Sequence, residues 1–327
     1  MNTIIQENGL IHFLLRNGAT IAALEVPNLY EYQLASMNPS IWINEDGSAY
    51  VNIRVVNYNL WNMYSREFTQ TDQPIAYVNL IADKLVTNNY FGTFDINTLT
   101  VNNLSEVKMM EYEPKWYFEG LEDARIVNWN NQLHLCGVRR DLDDMGTGRM
   151  ELSEITLIDN VWTEIKRTRI PAAGDDSAYL EKNWMPIIDK PYTWIKWCSP
   201  IEVAHYDLES KQLDIQFTND TNCYFRGDSH LIHVNDKYYC FVHLAYNKQL
   251  RPEDNARLSE YNHYLLEFDE NLCVSRISPG FKYDNKMSIE FGCGLAYYDG
   301  YCYLTYAEND AASFIIKFDV KLLEEIL

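Results

Sequence analysis

NEDGSAYVNIRVV (44–56), NNQLHLCGVRR (130–140), DKPYTWIKWCS (189–199), NDKYYCFVHLAY (235–246) and DGYCYLTYAEND (299–310) are five versions of one pattern. Each opens on a turn rich in Gly, Asn, Asp or Pro and runs on into β-branched and aromatic residues. Turn residues reverse the chain, and β-branched and aromatic side chains suit a pleated surface. Each run ends in polar side chains: Arg54, Arg139 and Arg140, Ser199, His243 and Asp310. The turns recur about every 46 to 84 residues, a spacing that in an all-β chain predicts a propeller with one four-stranded blade per repeat. Shared among five blades, the 327 residues leave about 65 for each. The expected fold is therefore an all-β, five-bladed β-propeller, with residues 1–327 as one domain. The polar strand ends of all blades then meet at one mouth of the central channel, where chemistry is expected.

Outward from the repeats, residues 1–37 mix strand and short-helix patterns and are predicted to close or cap the first blade. The end, FDVKLLEEIL (318–327), predicts a last strand followed by a short amphipathic helix. DLDDMGTGRMELSE (141–154) reads as a surface loop or hairpin, and IPAAGDDSAYLEKNWMP (170–186) as a long connection between blades. RPEDNARLSEY (251–261), with Pro near its start and helical spacing, predicts a short helix beside the mouth. The rest alternates as strands do.

Composition narrows the function. Hydrophobic residues make up 47% of the chain, as in a packed globular protein. Aromatic content is 14%, with 24 Tyr and 8 Trp. Sheet packing accounts for most of these residues, and sugar binding is the alternative, because an aromatic face stacks on a pyranose ring. The net charge of −20 repels phosphate backbones, so broad nucleic-acid binding is excluded while a local basic pocket is not. No basic amphipathic stretch or run of about 18 apolar residues points to a membrane. The start lacks a signal-peptide pattern, and the odd count of seven Cys without CxxC reads as reduced thiols; both lead to a cytoplasmic expectation. The seven His show no zinc spacing, so no metal is expected.

Four segments break the strand pattern and concentrate charge among small residues, each just before a repeated strand. Gly120–Ile126 carries Glu122, Asp123 and Arg125, two carboxylates and a guanidinium that shift one another's pKa in opposite senses. Glu181, Lys182 and Asn183 precede Trp184 and Pro186 and offer groups for an anion or sugar hydroxyls. Tyr224–His230 places Arg226, Asp228 and His230 around Gly227. Ile289–Leu295 brackets Cys293 between glycines after Glu290, in a spacing that fits neither a phosphate loop nor a dinucleotide fingerprint. A loop salt bridge or solvated bend explains any one of them; four at equivalent places point to a functional mouth.

The ordered set, over about residues 36–318, resembles the five-bladed propellers of glycoside hydrolase family 130, the β-mannoside phosphorylases and hydrolases. The family's Asn-Pro step and following Arg look like Asn38-Pro39 and Arg54. Its Glu-Asp-Pro-Arg looks like Glu122-Asp-Ala-Arg125, with Ala124 in place of Pro. Its Lys-Asn step before Phe-Pro looks like Lys182-Asn183 before Met185-Pro186, and its Tyr-His strand end like Val242-His243. Its Tyr before Leu-Leu-Asp looks like Tyr261 ahead of Leu265-Leu266-Glu267, on a run that also carries His263. Its late Tyr-Tyr-Gly-Ala-Ala-Asp looks like Thr305–Asp310. The resemblance implies that Asp123, beside Glu122, is the proton donor acting through a sugar hydroxyl, with inversion at the anomeric centre. It implies Lys182, Asn183, His243 and Tyr261 as phosphate ligands. The phosphorylases' His-Arg-Pro is replaced here by Trp197-Cys-Ser-Pro200, which removes an Arg that grips phosphate. The chain also looks like a branch marked by Glu-Lys-Asn-Trp, Arg-Gly and Ile-Glu-Phe-x-x-Gly-Leu, related to mannosyltransferases that use a sugar 1-phosphate or nucleotide sugar.

The leading expectation is an inverting glycosyl transfer enzyme for a mannose-type sugar, glycosyltransferase or phosphorylase, acting on a small-molecule or oligosaccharide substrate. No cofactor is expected; phosphate, a sugar 1-phosphate or a nucleotide sugar is the co-substrate, with Lys182, Arg226 and Arg139 for a leaving phosphate. An oligomer is allowed. Arg54, Arg125, Glu181, Asp228, His263, Glu290 and Asp310 complete the expected binding set. The second reading is an inverting glycoside hydrolase in which Glu181 or Glu290 activates water, and the third a non-catalytic sugar-binding propeller.

Overall fold

The structure, a computed structural model, describes residues 3–27, 35–62, 67–68, 75–78, 83–172, 179–251, 256–285 and 289–327. Five antiparallel sheets, the blades, follow one another along the chain. Blade 1 contains, from the channel outward, Ala35–Ile43, Ala49–Val56, Leu85–Asp95 and Thr100–Glu106. Blade 2 is Leu121–Trp129, Gln132–Arg139, Arg149–Ile158 and Val161–Arg169. Blade 3 is Met185–Pro186, Thr193–Cys198, Ile201–Asp207 and Gln212–Phe217. Blade 4 opens on Arg226–Gly227 and Ile232–Val234, which both pair with Lys237–Arg251, followed by Ala256–Phe268 and Val274–Ile277. Blade 5 is Glu290–Tyr298, Tyr301–Glu308 and Ala312–Asp319, completed by Thr20–Ala23 from the start of the chain.

The five turn-and-aromatic repeats are the second strands of the five blades, and the charged segments fall on the innermost ones. A second strand has an inner and an outer neighbour in its sheet and a blade against each face. It is therefore buried on both sides and reads as a continuous apolar run. In Ala49–Val56, seven of eight residues are buried. Most of the aromatic content is packing. Trp129, Trp184 and Trp194 are fully buried between blades 2 and 3, and the ring of Trp194 meets those of Trp129 and Trp184 edge-on at 5.2 and 5.8 Å. Such pairs add about 0.5–1.5 kcal/mol each beyond their buried area.

Of residues 1–37, residues 35–37 begin the inner strand of blade 1, but residues 3–23 act at the other end of the ring from that expected. Thr20–Ala23 pairs with Phe314–Lys317, so the N-terminal segment closes the last blade rather than the first. A propeller must join its first and last blades, and a strand from one end of the chain added to the blade at the other end does so. Helices Thr3–Asn8 and Leu10–Arg16 pack Ile5, Leu10, Phe13 and Leu14 against Phe241, Tyr283 and Leu304, where helix Leu322–Ile326 also docks. The helix expected over 251–261 is instead the far end of a long hairpin, with Arg251 paired to Ala256; residues 252–255 lie outside the described set. The Leu258, Tyr261 and Leu265 spacing that suggests a helix also fits a strand whose partner, Lys237–Arg251, continues beyond the blade. Of the loop or hairpin read at 141–154, residues 149–154 belong to the third strand of blade 2.

Candidate active site

The innermost strands carry bulges at the mouth end. Register slips between Met37 and Ser40 in blade 1, between Glu122 and Arg125 in blade 2, and between Gly292 and Gly294 in blade 5. Asn38 and Asp123, within the first two bulges, have φ of 47° and 51°, and Asn183, just before the short inner strand of blade 3, has φ of 63°. Asn and Asp are the side chains that tolerate this left-handed backbone. A bulge re-aims a side chain that would otherwise point into an inter-blade core. Asn38, Asp123 and Asn183 all turn into one cavity of about 200 Å³ at the channel mouth. That volume lies below the about 300–1,000 Å³ of ordinary small-molecule sites and limits the pocket to about one monosaccharide-sized group.

One wall comes from blades 1 and 2. Asn38 Nδ2 and Arg54 Nη1 both donate to Asp123 Oδ1 at 2.7 Å, leaving Oδ2 toward the cavity. Arg54 also donates to the Tyr58 hydroxyl at 2.6 Å and to Thr87 Oγ1, and its guanidinium is 3.7 Å from Glu122. Burial pushes the Asp123 carboxyl up, but Arg54, Lys182, Asn38 and Arg125 outweigh it and hold the group below the usual range, so it is a carboxylate at neutral pH. Phe118 and Arg140 extend this wall, with the Arg140 guanidinium 5.1 Å from the Phe118 ring.

The opposite wall comes from blades 3 and 4. Lys182 and Asn183 enter from the segment before Met185–Pro186. Arg226 and His243 are register partners, and Tyr261 lies 5.2 Å from the His243 ring. Gly227 makes this closeness possible: a Cβ there would come within 2.1 Å of the Asn183 carbonyl oxygen. Among the described residues, Lys182 and Arg226 have no ion-pair partner within 4.0 Å, although the protein carries a net charge of −20. Asp310 and Phe291 from blade 5 complete the ring. The Oδ1 atoms of Asn38 and Asn183 are buried without a hydrogen-bond donor among the described residues.

Of the expected site residues, Arg54, Glu122, Asp123, Lys182, Asn183, Arg226, His243, Tyr261 and Asp310 line this cavity. Five others do not. Arg125 lies beneath the pocket, 1% exposed, and donates across the channel to the Asp228 carbonyl (2.8 Å), which ties blade 2 to blade 4. Glu181 is held by Lys196 at 3.2 Å and by the Trp184 indole N–H. Asp228, His263 and Glu290 are fully buried behind His243. Arg139, expected at a leaving phosphate, is the last residue of its strand and is buried in blade 2 against Glu151 at 2.6 Å, while Arg140, just beyond the strand end, lines the cavity. Ser199 is bonded to Asp220 away from the cavity. Tyr58, Phe118 and Phe291 line the site and were not singled out from the sequence. Tyr58 had a signal, standing four residues beyond Arg54 where the aromatic run breaks; Phe291 stood inside the Ile-Glu-Phe-x-x-Gly-Leu stretch without a role of its own, and Phe118 had no signal.

No sequence-family profile matches this chain, and no curated protein sequence does. Solved structures do. The β-1,2-mannobiose phosphorylase of Listeria innocua superposes with a TM-score of 0.56 over 94% of this chain and 96% of that one, at 11% identity. A glycosyl hydrolase from Bacteroides ovatus gives 0.56 over 88% and 85%, at 13% identity. A family 130 structure described with glycoside hydrolases that target β-1,2 mannosidic linkages in Candida mannan gives 0.52 over 88% and 85%, at 13% identity. The fold is that of the family 130 propellers. At such low identity the likeness is one of architecture.

Proposed function

We propose that this chain is an inverting carbohydrate-active enzyme that forms or breaks a mannoside-type bond, and that it works by transfer to or from a phosphate-bearing sugar. The observation that carries the reading is Asp123, an ionised carboxylate on one wall of a one-sugar cavity whose other wall bears Lys182, Arg226 and His243. In the synthetic direction the donor's anomeric C–O bond breaks and the phosphate leaves with the electron pair. The acceptor oxygen attacks the opposite face of the anomeric carbon, and its proton passes, through a sugar hydroxyl, to Asp123. A group held as a carboxylate is ready for that base role. In the reverse direction the protonated Asp123 returns the proton to the leaving oxygen, as microscopic reversibility requires. The blade 3 and 4 cations then meet the phosphate charge, and the unpaired Asn38 and Asn183 oxygens accept sugar hydroxyls.

A hydrolase reading has less support. Its expected water-activating groups, Glu181 and Glu290, are both off the cavity, so Asp310 or Glu122 would have to serve. Mass spectrometry with pooled sugar acceptors tests the reading in three arms: sugar 1-phosphates, nucleotide sugars, and β-linked disaccharides in water. Product from an activated donor, lost in Asp123→Asn, is the expected result. Monosaccharide release confined to the third arm would make the enzyme a hydrolase, and silence in all arms a binding propeller.

A further inference from the structure

Behind His243 of the pocket wall lies a chain of three buried polar side chains, Asp228, His263 and Glu290, that the proposed chemistry does not use directly. His243, 2% exposed, presents one edge to the cavity and donates from Nδ1 to Asp228 Oδ1. Asp228, wholly buried, accepts through its other oxygen from His263 Nδ1 at 2.9 Å. His263, also wholly buried, is stacked on the Tyr283 ring at 4.0 Å, and its Nε2 lies 3.7 Å from Glu290 Oε2. Glu290 in turn accepts the backbone N–H groups of Tyr283, at 2.9 Å, and Asp284.

The hydrogen-bond chemistry of this chain has one consistent assignment. An ionised carboxylate only accepts, so each histidine that meets Asp228 must carry its proton on Nδ1. Burial raises the Asp228 carboxyl, but His243 and His263 more than offset it and keep the group ionised. The Nε2 edge of His243 is then turned to the cavity, and that of His263 to Glu290. Two bare acceptors 3.7 Å apart in a dry site repel, so a proton belongs between His263 and Glu290. We propose that Asp228 is a positioning residue for the pocket: braced by His263 and Glu290, it locks the tautomer and ring orientation of His243 so that Nε2 always faces the bound ligand. With Nδ1 engaged by the carboxylate, Nε2 is the edge of His243 left to meet the ligand. The same logic orients imidazoles in hydrolytic triads and metal centres, where the partner's loss costs about 10–100-fold or more. For the reaction, the inference rests on the proposed glycosyl transfer; for the tautomer, it stands on the hydrogen bonds alone.

Long-range ¹H–¹⁵N spectra of the full chain, with His243→Gln and His263→Gln used only to assign peaks, read the tautomers directly. The expected result is Nδ1–H for both histidines in the wild type. Asp228→Asn, whose amide can donate, should move His243 toward the Nε2–H form and lower kcat about 100-fold while KM changes only a few-fold. A wild-type His243 in the Nε2–H form overturns the inference without any variant, as does a His243 tautomer unchanged in Asp228→Asn. Absence of turnover on every sugar tested would sink the proposed function, whereas the spectra would still decide the role of Asp228.

Discussion

Asp123 on blade 2 and Asp228 on blade 4 touch the same guanidinium, that of Arg125, through their backbone carbonyls. Both carboxylates are buried and both are held ionised, yet they keep different company. Asp123 is paired with Arg54, which never loses its charge, and has an oxygen open to the cavity. Asp228 is sealed between two histidines, which can gain and lose protons. The contrast shows how one ring of inner strands makes two kinds of acidic group. A bulge with φ of 51° turns Asp123 outward as a reactant, while Asp228, where the inner strand of blade 4 breaks between Gly227 and Ile232 without a left-handed φ, turns inward and acts on the ligand only through His243.

The strongest way to break the comparison is to remove the reacting carboxylate. Asp123→Asn keeps the shape and the contact with Asn38 or Arg54, and should lower turnover by about 10²–10⁴-fold, the worth of a general acid or base. Sugar affinity by calorimetry should stay within a few-fold. Turnover within tenfold of wild type would mean that Asp123 is not the reacting group. Next comes the shared bracket. Arg125→Ala leaves the Gly227 and Asp228 carbonyls without their buried donor and opens a void at the channel floor. It should cost about 3 kcal/mol in urea unfolding. A loss below about 1 kcal/mol would show that blades 2 and 4 do not need the cross-channel tie.

The blades and the inner-strand positions of the charged segments were legible because they depend on local chemistry. Turn residues and doubly buried aromatic runs leave a repeat that needs no knowledge of the fold. What the sequence could not separate was the level of each polar group along the channel. Glu122, Asp123, Ala124 and Arg125 read as one charged cluster, yet the bulge sends Asp123 to the cavity and Arg125 beneath it. Arg139 and Arg140 are adjacent letters on either side of a strand end, and only the folded position of that end tells which one reaches the mouth. The hairpin at 251–261 escaped because its excess length beyond the blade is set by its pairing partner rather than by its own periodicity.

The sealed side of the comparison has a signature in pH. Burial pushes the Glu290 carboxyl up to about 7 from an ordinary 4.5, against the lowering effect of His263 and the Asp284 and Tyr283 N–H groups, with Glu308 adding to the rise. The groups around it on the packed elements are His263, Tyr283, Asp284, Tyr306 and Glu308. Below pH 4.5 the folded and unfolded chains are both protonated at this site, so it contributes no slope. Between 4.5 and about 7 the unfolded chain ionises first, and the native state loses stability relative to it as pH rises. Glu290→Gln should therefore gain on the wild type across that window by at most about 3 kcal/mol, levelling off above it. A constant difference between the two proteins from pH 4.5 to 7 would place Glu290 in an ordinary environment.

The smallest effect tests the open side of blade 4. Arg226 is exposed and its attraction for a ligand phosphate is screened by salt, unlike the buried Arg54–Asp123 contact. Arg226→Ala should weaken inorganic phosphate binding by about fivefold at low ionic strength, roughly 1 kcal/mol, and by little near 1 M salt, where the Debye length is about 3 Å. Affinity for a neutral monosaccharide should not change, because Asn38 and Asn183 rather than Arg226 present the unpaired acceptors. If neutral-sugar and phosphate affinities fall together and salt does not matter, Arg226 holds the shape of the mouth instead of meeting a charge. The anion would then have to be gripped deeper, by Lys182 and by the edge of His243 that Asp228 presents.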